Sequence, residues 1–170
     1  MGGGGFVSAP GFGRGTNINR LQDVARQELK KPVPEPRKKV FISFRSEDKP
    51  LVDLFRCQAK NKNNDLDFID FSLRVPFNSK NAEYIKRGIR ERIRQSSVTV
   101  VLITESTHKS KWVDWEIRES KKLGKGVVGV KCESGSSPKI PKAISEHGCE
   151  VVNWNHNEIR RAINRAEKNR

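Results

Sequence analysis

The chain has few cysteines, no long apolar run and none of the short signatures of the commonest catalytic sites. Cys57, Cys132 and Cys149 are the only three cysteines, and their wide spacing matches no metal-ligand pattern. They read as reduced thiols, which points to a cytosolic protein. His108, His147 and His156 also lack zinc-like spacing, so no metal is expected. No apolar stretch approaches the ~20 residues needed to span a bilayer, so a membrane is not an expected partner. The opening MGGGGFVSAPGFGRG has no charged-then-apolar pattern of the kind that marks a signal peptide. There is no Walker A loop, no GxGxxG after a strand and no GxSxG elbow. A phosphoacceptor receiver needs acids after its first strand and an aspartate ending its third. Glu47 and Asp48 half meet the first condition, but the third strand ends in Ile103-Thr104-Glu105.

A surplus of acid is missing as well. Against 34 lysines and arginines stand 20 aspartates and glutamates, a formal charge of +14. Such a balance attracts polyanions without choosing among them. The charge is spread out: eight basic and three acidic residues lie between Met1 and Lys39, and six and two between Lys80 and Gln95. A dedicated nucleic-acid binder concentrates charge and interleaves aromatics. Here the aromatics sit mainly in strand-like runs, so nucleic acid is not expected as a partner.

What is present is a regular alternation. A chain of 170 residues can build one domain with a real core. Residues 1–37 stand apart as a glycine-rich and proline-rich N-terminal arm, with one short helix expected over Asn19–Lys31 (Leu21, Val24, Ala25 and Leu29 on a face) and an extended connector at KKPVPEPRKK. The arm reads equally as a docking element, an oligomer contact or a tether. From residue 38 to 170 the pattern is that of one domain. KVFISF (39–44) is a nearly unbroken apolar run that suits a strand covered on both sides. RSEDKP then opens a helix, with Ser46 or Asp48 as N-cap, Pro50 in the first turn and Leu51, Leu54 and Phe55 on one face. LDFIDF (66–71) is a shorter, alternating strand suited to an edge. Ala82, Ile85, Ile89 and Ile93 mark an amphipathic helix. SVTVVLI (97–103) is the strongest strand. A helix follows from Ser110, its expected N-cap, to about Leu123, where Gly124 stops it. GVVGVKC (126–132) and EVVNW (150–154) are further strands, with a short helical turn near Ala143 between them. The last helix opens at Asn155 or His156 and turns Ile159, Ala162, Ile163 and Ala166 inward.

Strands alternating with helices imply an α/β fold with a parallel sheet and helices on both faces. Five strands suggest the flavodoxin-like order 2-1-3-4-5. Ligands then bind beyond the carboxyl ends of the strands, where the chain reverses between strands 1 and 3. The walls of that crevice are the loops Ser43 to Asp48, Asp70 to Asn78 and Thr104 to Lys111. The segment SKWVDWEI (110–117) begins there, with Trp112 and Glu116 four apart on one helical face. Spacing alone admits two readings of it. In one, Trp112 and Trp115 fill the core and Glu116 is a solvated surface residue. In the other, Glu116 projects into the crevice, where a partly dry carboxylate stabilises a developing oxocarbenium ion or binds ribose hydroxyls.

KVFISFRSED, DFIDFSL and SVTVVLITESTHKSKWVDWEI resemble the bacterial TIR-like family that includes the ThsB sensors of Thoeris antiphage defence, over about residues 38–155. The resemblance implies a flavodoxin-like, TIR-like sheet and a signalling enzyme that cleaves NAD between nicotinamide and ribose. The product would be a cyclic or modified ADP-ribose messenger, passed to a separate effector protein. It implies Glu116 as the catalytic group and Trp112 as a matching aromatic one turn before it. Ser43, Phe44 and Arg45 from strand 1, and Asp70, Ser72 and Arg74 after strand 2, would line the site, with the pyrophosphate near Ser110 and Lys111 or near Arg45. NAD is then substrate and no resident cofactor is expected. The loop 72–80 would govern self-association through TIR-like surfaces, and a phage-derived protein could serve as trigger. The family also contains non-catalytic adaptors that act through TIR–TIR assembly, which is the alternative function.

Overall fold

A computed structural model describes residues 22–23, 26–27, 37–61, 66–69, 77–132 and 137–170. The chain divides into two compact units, Met1–Glu35 and Pro36–Arg170. In the first unit Gln22, Asp23, Arg26 and Gln27 are helical and exposed. The rest of the helix expected over Asn19–Lys31, its apolar face included, lies outside the described residues.

Among its described residues the second unit has five strands: β1 (Lys38–Ser43), β2 (Leu66–Ile69), β3 (Val98–Ile103), β4 (Gly126–Lys131) and β5 (Glu150–Asn153). Five helices accompany them among the described residues: α1 (Lys49–Asn61), α2 (Ala82–Gln95), α3 (Lys111–Lys122), α4 (Lys142–Glu146) and α5 (His156–Lys168). Short 3-10 turns at Ser46–Asp48 and Thr107–Lys109 precede α1 and α3. The sheet order is β2-β1-β3-β4-β5 and every pairing is parallel, as the alternation implies. The winding therefore reverses between β1 and β3, where Val40 pairs with Val98 and Ser43 with Val101.

Parallel strands need cover on both faces, and the period of two decides which side chain meets which layer. Val40 and Ile42 of β1, with Val98, Val100 and Leu102 of β3, face α1 and α5 through Val52, Phe55, Ile159, Ala162 and Ile163. On the opposite face Phe41 meets Ala82, Ile85, Ile89 and Ile93 of α2 and Trp112 of α3. Val101 and Ile103 meet Val113 and Ile117 of α3 and Ile144 of α4. All six residues of β3 are buried, as a central strand requires.

The ends of the helices follow local chemistry. The Ser110 hydroxyl accepts the Val113 N–H at 3.3 Å, and Gly124, at φ +68°, turns the chain out of α3. The Asn155 side chain accepts the N–H groups of Asn157 and Glu158 and so opens α5. Ser46 and Asp48 lie in the 3-10 turn before α1, Asp48 immediately before its first residue, and the Asp48 carboxylate accepts the Thr104 hydroxyl hydrogen at 3.1 Å. The buried face of α1 is Val52, Phe55 and Ala59, while Leu54 is 47% exposed. The helix settles on these three because their 3-4 spacing points one stripe at the sheet, and Leu54 falls outside it.

Candidate functional site

The site grows from the carboxyl end of β1 and the first two turns of α3. Ser43 is the last residue of β1, and its side chain lies on the same face as Phe41, toward α2 and α3. Glu116 projects from α3 toward that point. The Ser43 hydroxyl donates to Glu116 Oε2 at 2.5 Å, and both residues are 0% exposed. The separation is at the short end for an O–H···O hydrogen bond.

The backbone beneath Glu116 is tied as well. Ser120 donates its hydroxyl hydrogen to the Glu116 carbonyl at 2.7 Å. Because that hydrogen is committed, Thr99 must be the donor in its 2.7 Å bond to Ser120 Oγ. The side chain of Glu116 is thus fixed to β1 and its main chain to β3. Thr99 and Ser120 are also 0% exposed, so a buried polar seam runs between α3 and the sheet.

Above this seam opens a cleft of about 340 Å³, lined by Phe44, Arg45, Ser46, Glu47, Ser106, Lys109, Ser110 and Trp112. Two loops form its walls and a hydrogen-bond relay joins them. Thr104 Oγ1 donates to Asp48 Oδ2 at 3.1 Å, while Thr107 Oγ1 accepts the Thr104 N–H at 2.8 Å and donates to the Leu102 carbonyl. The cleft carries the cations Arg45 and Lys109, and Arg45 lies 3.3 Å from the exposed Glu47 carboxylate. At its side, Trp112 meets Phe77 edge-on at 5.0 Å and Trp115 at 6.1 Å. Lys86 sits over the Phe77 ring at 4.4 Å. Arg90 lies 5.6 Å from the Trp115 centroid and bonds Glu119 at 2.6 Å.

Of the residues singled out from sequence, Phe44, Arg45, Ser110 and Trp112 line one cleft. Ser43 and Glu116 lie below it, joined to each other, and neither is among the cleft-lining residues. Glu116 is therefore not a solvated helix residue. Nor is its carboxylate open to the crevice: it sits one turn of α3 deeper than Trp112, at 0% exposure. Lys111 is the exposed first residue of α3, outside the cleft lining. Asp70, Ser72 and Arg74 lie outside the described residues, as does most of the 72–80 loop. Sequence reasoning weighed Ser46 only as a helix cap and did not single out Ser106, Lys109 or the Thr99–Ser120 pair. The only linear signal for the pair was Ser120 standing four residues after Glu116. No cluster of His, Cys, Asp and Glu among the described residues is arranged to hold a metal ion, and no described helix is long and apolar enough to cross a membrane.

A family model described as the TIR-like domain of the Thoeris protein ThsB matches residues 41–137, more than half of the chain. The chain belongs to the ThsB TIR-like family. The match runs from within β1 past the end of β4, so Ser43, the cleft and Glu116 all fall inside the family domain. Among solved structures, the TIR domain of the Toll-related receptor TRR-2 from the lower metazoan Hydra magnipapillata is similar at 15% identity and a TM-score of 0.48, covering 74% of this chain and 91% of that one. A search of the curated proteins found no match.

Proposed function

We propose that this ThsB TIR-like protein is an NAD-consuming signalling enzyme of antiphage defence, with Glu116 as its catalytic carboxylate. The observation that carries the reading is an ionisable group hydrogen-bonded by Ser43 at the switch point of a parallel sheet, with Ser43 next to Phe44 and Glu116 one helical turn from Trp112, both of which line a cleft that carries Arg45 and Lys109. Removing a carboxyl group from water costs hydration, and an ionisable group held beside a cleft is a candidate for chemistry.

The reaction is heterolysis of the bond between C1′ of the ribose and the nicotinamide nitrogen. The bonding pair leaves with the nitrogen, giving neutral nicotinamide and a cationic ribose carbon. The Glu116 carboxylate stabilises that cation electrostatically. Attack by a nitrogen or hydroxyl elsewhere in the same molecule closes a cyclic ADP-ribose and releases a proton; attack by water gives ADP-ribose. Arg45, Lys109 and the N-terminus of α3 suit the pyrophosphate. Phe44 and Trp112 offer apolar surface that keeps water from the cation. At about 340 Å³ the cleft lies near the lower end of small-molecule pockets (~300–1,000 Å³), so the site must open for the dinucleotide to reach Glu116. Self-association through TIR-like surfaces, a phage-derived trigger and a separate effector that receives the messenger complete this reading.

One observation favours a second reading. The complete burial of Glu116 in this form suits a non-catalytic adaptor that acts by TIR–TIR assembly. The experiment that separates them is nicotinamide release from NAD by the full chain, with and without extract of infected cells, products being identified by mass. The enzyme reading expects release, with a fall of at least about 100-fold in Glu116→Gln. Assembly without turnover under every condition establishes the adaptor.

A further inference from the structure

A second cavity, of about 470 Å³, lies between the last turn of α1 and the residues that open α5. Gln58 and Asn61 line it from α1, and Trp154, Asn155, His156 and Asn157 from the other side. It shares no lining residue with the cleft beside Glu116, and four of its six residues lie beyond the segment that the family model matches. We propose that this cavity binds an uncharged nucleoside, its base stacked on Trp154 and read by the surrounding carboxamides.

The orientation of Gln58 comes first. An indole N–H only donates, so the Gln58 atom 2.8 Å from Trp154 Nε1 is the carbonyl oxygen. His156 Nε2 lies 2.9 Å from the same oxygen and therefore donates to it as well. Two donors thus occupy that oxygen and fix the carboxamide, while its NH2 keeps both hydrogens uncommitted among the described residues. Asn155 is in the same condition: its oxygen accepts the N–H groups of Asn157 and Glu158, and its NH2 is left over. Both side chains bring unused donors to the cavity wall. The exposed carboxamides of Asn61 and Asn157 have no partner among the described residues, so each keeps a donor and an acceptor side by side.

The aromatic part of the wall is held rigidly. Phe55, a core residue, meets Trp154 edge-on at 5.4 Å and stacks on His156 at 5.5 Å. Trp154 itself is half-buried, so an anchored indole keeps part of its surface open. Groups already fixed lose little freedom when a ligand binds. None of the six lining residues is lysine, arginine, aspartate or glutamate, so the wall offers no countercharge to a phosphate. The matching ligand is flat, neutral and rich in acceptors within its plane. A purine meets this: its face stacks on an indole, and an adenine edge sets an acceptor beside a donor, which one carboxamide pairs in bidentate fashion. The volume falls within the ~300–1,000 Å³ of small-molecule sites.

The test titrates the full chain with adenosine, and separately with ribose, following indole N–H and side-chain NH2 signals by 1H–15N NMR. Trp154→Phe and Gln58→Glu assign the two signals of interest. Adenosine should shift both saturably, with a midpoint of about 1 mM or tighter. Gln58→Glu keeps an oxygen for Trp154 and His156 but removes the NH2, so the chain should melt as the native one does and bind adenosine about 3- to 10-fold more weakly. Trp154→Leu removes the stacking surface and should weaken binding about 10-fold or more; where it does not fold, Gln58→Glu decides. No shift at Trp154 and Gln58, an equal shift with ribose, or unchanged affinity in Gln58→Glu overturns the proposal. So do shifts confined to Trp112 and Trp115, which place the nucleoside in the cleft beside Glu116. None of these readouts depends on turnover of NAD, so failure here and failure of the enzyme reading are separate results.

Discussion

The layer of α1 and α5 meets the sheet through Val52, Phe55, Ile159, Ala162 and Ile163, whereas α3 on the other face adds Glu116 and Ser120 to Val113 and Ile117. Both helical layers bury what they present. On the first face that burial stabilises the fold in the ordinary way, by removing apolar surface from water. On the second, part of the interface is spent on polar groups whose hydrogen bonds only offset the loss of hydration. The difference teaches that one face of the sheet is covered by apolar side chains while the other also holds a buried, hydrogen-bonded carboxyl group, the one proposed above to do chemistry from a rigid support.

Substitutions should expose the contrast. The largest stability effect is expected on the apolar face. Ile163→Ala empties a site that is 0% exposed and should lower unfolding free energy by about 2–5 kcal/mol in a urea titration. Next is Gly126→Ala at the start of β4, where an added Cβ would lie 2.4 Å from the Ala166 carbonyl oxygen of α5. Because that neighbour is backbone, the helix must shift, at about 1–3 kcal/mol. Glu116→Gln should change stability by less than about 1 kcal/mol in either direction, since it keeps the side-chain shape and an acceptor for Ser43. A loss as large as that of Ile163→Ala would erase the contrast and make Glu116 a structural residue.

The smallest effect lies at the foot of the sheet. Lys38 Nζ bonds Glu167 Oε2 at 2.5 Å and so holds that carboxyl below its ordinary range. A depressed folded value means that the contribution is complete above the ordinary carboxylate value near 4.5 and is lost as pH falls through the folded one. Glu167→Gln should therefore cost up to about 1 kcal/mol at pH 7 and nothing at a pH below both values. Thermal melts of native and variant chains across that range will read the convergence; a gap that persists in acid points to lost packing.

Much of this was legible in the linear pattern. The spacing of Ala82, Ile85, Ile89 and Ile93 located α2, Ser110 and Gly124 bounded α3, and the unbroken run of β3 marked the centre of the sheet. Those signals are local: period, cap and breaker act within a few residues. The face of α1 was misjudged at Leu54 because several stripes of that helix are apolar enough to qualify, and only the sheet selects one. The bond between Thr104 and Asp48 was equally out of reach, since nothing in RSEDKP shows that Thr104 lies nearby.

The sequence by itself determined the alternation of strands and helices, the parallel order that follows from it and the placement of SKWVDWEI at the switch point. Tertiary structure alone decided that Glu116 is buried rather than solvated, that Ser43 holds its carboxylate and that Thr99 and Ser120 anchor its backbone. The physical reason is range. Periodicity and capping are carried by neighbours along the chain, while the environment of a carboxylate is set by strands that arrive from far away in sequence and meet only once the sheet has formed.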